Sequence, residues 1–294
     1  MRAVLVEDPH IIDSYVLLGG WLQKLDRDDE ALQAYRKALE VKPDNESALG
    51  ELATLYRKLG QPEAALEGYR TVLKLDARKP ATWYQLATLY LDLGREKEAE
   101  QTFRQALEHN PKMGAAYNSL GALAFQRGQL TRAEELVRKG LELEPDVRGG
   151  RYNLARILEA RRQADEAERL YREELQTYAD HGRARFNLAQ LLRERGNQPA
   201  YLAELRTGVE RAPEFGACFF FLAREELRAG RLDSALDLAR RGLEAENPSE
   251  LAPLGHYVLA DVYNRRGERA KAEAEVAAAR RLESHQRRRP GAAL

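Results

Sequence analysis

The side chains best suited by type to engage another molecule recur at a single interval. Tyr84, Asn118, Tyr152, Phe186 and Phe220 stand 34 residues apart, and Tyr257 follows 37 residues after Phe220. Carried along at the same interval are Asn153 and Asn187, then Arg156, Gln190 and Arg224, while Arg183 lies just before Phe186. The chemistry open to this set is recognition. Aromatic planes cover apolar side chains of a ligand, amides bond to a peptide backbone, and guanidinium groups engage carboxylates. Groupings for catalysis are not seen: His10, His109, His181, His256 and His285 are widely separated, and none has the H-E-x-x-H or Cys/His spacing of a metal site. No glycine-rich phosphate loop occurs, and Gly19-Gly20 and Gly149-Gly150 read as a packing position and a turn. The single cysteine, Cys218, rules out an intrachain disulfide and reads as a small, partly buried filler. A non-catalytic chain without metal or cofactor is the expectation.

The interval of 34 runs through the whole chain, so the elements that position these side chains are one unit written many times. Units begin at Ile12, Glu46, Pro80, Gly114, Arg148, Gly182 and Gly216, and an eighth begins at Pro253 after three extra residues. The seventh position is leucine in every unit (Leu18, Leu52, Leu86, Leu120, Leu154, Leu188, Leu222, Leu259), and the eighth is always glycine or alanine. Positions 4, 7, 8 and 11 fall on one stripe of a helix, so Trp83, Leu86, Ala87 and Tyr90 form a packing seam. The small residues at positions 8 and 20 let a second helix approach closely; position 20 is alanine in seven units, with Tyr201 the exception. Position 15 is glycine in six units, where a left-handed turn ends the first helix, with Asp26 and Arg162 departing. Proline or another turn signal closes the second helix near position 32.

The combination Tyr15-x-x-Leu18-Gly19-x-x-Leu22, then Ala31, Tyr35, Ala38 and Pro43, resembles the tetratricopeptide repeat, over roughly Ile12 to Gln286. The resemblance implies an all-α solenoid of helix-turn-helix repeats in a right-handed superhelix. On this reading residues 1–11 are a lead-in, the repeats occupy 12–45, 46–79, 80–113, 114–147, 148–181, 182–215, 216–249 and 253–286, and 287–294 form a basic, disordered tail. We count one quasi-linear array rather than two globular domains. The resemblance also implies that positions 2, 5, 9 and 12 of the first helices line a concave face where a peptide ligand lies. That face is the proposed groove: Tyr84, Asn118, Tyr152, Asn153, Arg156, Arg183, Phe186, Asn187, Gln190, Phe220, Arg224 and Tyr257, with units four to eight its richest part. The carboxylate clamp of chaperone-binding relatives is not matched in any three consecutive units. Tyr152 and Arg156 stand where Lys and Asn are required, although Asn187 fills the next slot.

Lys plus Arg and Asp plus Glu number 47 each, so the net charge gives no support to nucleic-acid binding. No apolar run is long enough to span a bilayer, and the start Met1-Arg2-Ala3-Val4-Leu5-Val6-Glu7-Asp8 is too short and too soon acidic for a signal peptide. A cytoplasmic, monomeric adaptor for a protein or peptide partner is expected, or else the recruiting module of a larger enzyme polypeptide such as a glycosyltransferase or a sulfatase-like hydrolase.

Overall fold

The computed structural model describes residues 9–245 and 251–287, and among these every regular element is an α-helix. The chain divides into two compact units, Met1–Glu144 and Pro145–Leu294. The first contains α1 (Pro9–Lys24), α2 (Asp28–Val41), α3 (Glu46–Lys58), α4 (Pro62–Leu75), α5 (Pro80–Asp92), α6 (Glu96–His109), α7 (Gly114–Gln126) and α8 (Leu130–Leu143). The second contains α9 (Gly150–Ala160), α10 (Ala164–Thr177), α11 (Gly182–Glu194), α12 (Gln198–Arg211), α13 (Gly216–Arg228), α14 (Leu232–Glu244), α15 (Ala252–Arg265) and α16 (Arg269–Arg287). In each unit successive helices pair as hairpins, and each hairpin packs on the next.

The turn inside each hairpin shows how strongly packing dictates backbone. Gly60, Gly94, Gly128, Gly196, Gly230 and Gly267 all have φ between 69° and 77°. Asp26 (φ 54°) and Arg162 (φ 62°) adopt the same left-handed conformation without being glycine, so the hairpin geometry imposes it against a side-chain penalty of about 1 kcal/mol.

Four of the eight hairpins close around an aromatic ring at position 24, where the others carry Val137, Leu205, Ala239 and Val276. Tyr35, Tyr69, Phe103 and Tyr171 at position 24 are sealed from solvent, and a Cβ on Gly19 would lie 2.5 Å from the Tyr35 ring. In the sixth repeat Leu205 occupies position 24, and the missing ring is supplied one turn earlier by the fully buried Tyr201. The departure at position 20 is therefore a shift of the aromatic, not its loss. Cys218 is buried with its sulfur against Gly208, and burial pushes its thiol up to about 12, which makes it the inert filler expected.

Leu154 is buried in the hairpin of α9 and α10, which packs on α11. Leu154→Ala should cost about 2–5 kcal/mol, and faster amide exchange should be confined to α9–α11, as a quasi-linear stack requires. Hydrogen exchange that rises evenly along the chain would contradict this.

Several expectations are revised. α1 starts at Pro9, inside the segment read as lead-in. α9 starts at Gly150 rather than at Arg148, because Gly149 is left-handed (φ 79°) and delays the helix. The joint before α9 thus spans six residues, 144–149, where the other joints between described repeats of each unit take four, and the single array becomes two compact units there. The extended joint before the eighth repeat falls largely on 246–250, outside the described residues, as does the tail read as 287–294 except for Arg287, which ends α16.

Candidate functional site

In the second unit the structure assembles part of the predicted set around two phenylalanines. Phe186 on α11, half-buried, meets Phe221 on α13 edge-on at 4.9 Å between centroids, and Phe215 at 6.1 Å. The Arg224 guanidinium lies 4.5 Å from the Phe221 centroid. Arg193 approaches the same ring at 5.7 Å and Tyr201 at 5.8 Å. Arg183 is exposed at the start of α11, and Gln190 is half-buried further along it. This cluster joins two aromatic rings to cations held over one of them by cation–π attraction. A carboxylate-bearing ligand arriving there meets guanidinium groups already positioned and partly stripped of water.

A second group centres on α9 and α10. Asn187 Nδ2 donates to Tyr171 Oη at 3.4 Å, and that hydroxyl donates to Glu159 Oε2 at 2.8 Å. Burial pushes both the Tyr171 hydroxyl and the Glu159 carboxyl up, and for Glu159 the tyrosine bond opposes the rise. Tyr152 is buried against His181 at 4.9 Å, with Arg156 5.8 Å from its centroid. Asn153 is half-buried nearby in sequence on α9.

Beneath this group lies a carboxylate in an unexpected place. Position 27 holds alanine, valine or glycine in seven repeats, as at Ala38, Val72, Ala106, Gly140, Gly208, Gly242 and Ala279, but Glu174 in the fifth. Glu174 is fully buried; its Oε1 accepts from the Gly149 amide at 2.7 Å and meets His181 Nδ1 at 2.8 Å, while Oε2 has no hydrogen-bond partner. With the carboxylate ionised, Nδ1 must carry the hydrogen.

Phe220 requires correction. It is fully buried, its ring filling the space left by three glycines: a Cβ on Gly255 or Gly242 would lie 2.5 Å or 2.7 Å from Phe220 Cε1, and one on Gly216 3.3 Å from Cε2. It belongs to the core joining α13, α14 and α15. Tyr257 points elsewhere, its hydroxyl donating to Glu283 Oε1 on α16 at 3.1 Å. Tyr84, packed on Phe103 at 5.4 Å, and the buried Asn118 lie in the first unit. Two members of the cluster, Phe221 and Arg193, were absent from the sequence-based set. Arg193 sits at position 12 of the very stripe in question, and Phe221 at position 6, where the two preceding repeats carry Asn153 and Asn187.

Tetratricopeptide repeat models match residues 84–147, 152–214 and 253–278, and the model of anaphase-promoting complex, cyclosome, subunit 3 matches residues 24–106. The chain belongs to the tetratricopeptide repeat family, whose fold is in general a non-catalytic scaffold for protein interaction. A comparison with curated protein sequences found no match. Among solved structures, a tetratricopeptide repeat protein from Parabacteroides merdae is similar at 19% identity, covering 84% of this chain and 99% of that one with a TM-score of 0.63. The Pseudomonas aeruginosa pilF structure has 22% identity, covers 69% of this chain and 92% of its own, and gives a TM-score of 0.60. The human IFIT1 dimer with m7Gppp-AAAA has 17% identity over 92% of this chain and 72% of its own, with a TM-score of 0.65. These likenesses concern the fold. Among the described residues no helix is long and apolar enough to cross a membrane, and no group of three or more His, Cys, Asp or Glu side chains could hold a metal ion.

Proposed function

We propose that the protein is a non-catalytic adaptor whose second unit binds an extended, acidic peptide segment of a partner across α11 and α13. The observation that carries this reading is the Phe186–Phe221 pair with Arg193 and Arg224 gathered on the Phe221 ring. Rings flanked by guanidinium groups suit alternating apolar and acidic side chains, and Arg183, exposed on α11, extends the basic character. Asn187, half-buried on the same helix, adds an amide for the ligand backbone. Binding of single-stranded RNA is less well supported, because 47 basic residues are balanced by 47 acidic ones.

The test is affinity capture of a partner, reduction to a binding peptide, and titration against variants. Phe186→Ala and Phe221→Ala should each weaken binding by about 1–3 kcal/mol. Arg224→Ala should lose more affinity at low salt than at high salt, since pairing at a partly open surface is screened. A peptide indifferent to all three changes, yet sensitive to changes on the exposed faces of α12 or α14, would move the site to the second helices.

A further inference from the structure

α1 presents an apolar face that no described element covers. Leu18 and Trp21 occupy positions 7 and 10 of their repeat, which are interior positions elsewhere. The position-7 leucines of the other seven repeats are at most 8% exposed, and at position 10 Leu55, Leu89, Leu123, Ile157, Leu191 and Val262 are at most 3% exposed. Leu18 is 47% and Trp21 70% exposed, and Ile11, Leu17 and Leu25 add 42%, 64% and 66%. Ile11, Leu18, Trp21 and Leu25 follow one another at steps of seven, three and four, the spacing of a helix–helix seam. A repeat face that no neighbour covers ordinarily needs a polar surface to stay in water. The last repeat has one: Arg280, exposed, stands at position 28 where every other repeat carries leucine or valine. The first repeat has the opposite.

We propose that α1 is the interface of a symmetric homodimer, packed antiparallel against α1 of a second copy. The exposed fractions of the five apolar side chains amount to on the order of 500 Å² per copy, and two copies together reach the ~1,000 Å² that a biological interface should clear. A two-fold axis near Leu18 sets Leu18 against its counterpart and brings the exposed Asp13 of one copy alongside the exposed Lys24 of the other. Head-to-tail stacking on α16 fits less well. The hollow there is lined by Asn264, Glu273 and Arg280 beside Ala272, Val276 and Ala277, and its charges would be buried against a seam of leucine and tryptophan.

Sedimentation equilibrium of the full chain over a wide concentration series tests this. The expected result is a monomer–dimer equilibrium without higher species. Trp21→Asp should raise the dissociation constant by roughly thirtyfold or more while helical circular dichroism is unchanged. Should Trp21→Asp lose helicity, Leu25→Glu, at a position 66% exposed, carries the same test. A monomer at every concentration would overturn the proposal, whether the face is covered by the chain's own leader, by another protein or by water. A dimer untouched by either substitution would overturn it, and so would an open-ended ladder of oligomers, the mark of head-to-tail stacking.

Discussion

Phe220→Ala is expected to lower the stability of the second unit by about 3–5 kcal/mol, because it empties a ring-sized space in the core. Gly216, Gly242 and Gly255 surround the ring, and glycines have nothing to extend into the cavity. Urea denaturation followed by circular dichroism reads the loss, which should appear as earlier melting of α13–α16. Filling from the other side should recover part of it: Gly255→Ala, which in the wild-type chain drives a Cβ to 2.5 Å from the Phe220 ring, should destabilise alone but help in the Phe220→Ala background. If Phe220→Ala were as stable as wild type and only ligand binding fell, the residue would belong to a binding surface after all.

His181→Ala is the second large effect, at about 3–5 kcal/mol, since it strands a buried carboxylate with the Gly149 amide as its one remaining hydrogen bond. Glu174→Ala in the same chain restores the small residue that the other repeats carry at that position. The double variant should therefore be more stable than His181→Ala alone, the remaining loss being the unpaired Gly149 amide at about 1–3 kcal/mol. Thermal melts of the two single variants and the double variant complete a cycle. Losses that simply add would mean that Glu174 and His181 do not act on one another.

The repeat and its seam were legible because each rests on residue types within one 34-residue unit: leucine at position 7, a small residue at 8, a turn residue at 15. What escaped depends on neighbouring units. Whether a position-5 aromatic faces solvent or core is decided by what the following repeat leaves room for: Gly255 at position 3 of the eighth repeat leaves space for Phe220, whereas Cys218 holds that position in the repeat after Phe186. The same cause exposes Phe221 as the true neighbour of Phe186. The break after Glu144 was hidden in a Gly149-Gly150 pair that reads as an ordinary turn until the left-handed φ of Gly149 is seen. Tyr201 looked like a defect at position 20 and is a compensation for Leu205.

The bond from Gly149 to Glu174 also orders events in time. The start of α9 is held by a carboxylate 25 residues further along the chain, and the histidine that accompanies it comes seven residues later still. As the polypeptide emerges from the ribosome, the first four hairpins are complete at Glu144, while the next helix has no fixed beginning until α10 and the turn after it have followed. The beginning of the fifth repeat is thus fixed by residues from its own end, and α9 gains this anchor only once α10 and the turn after it are in place.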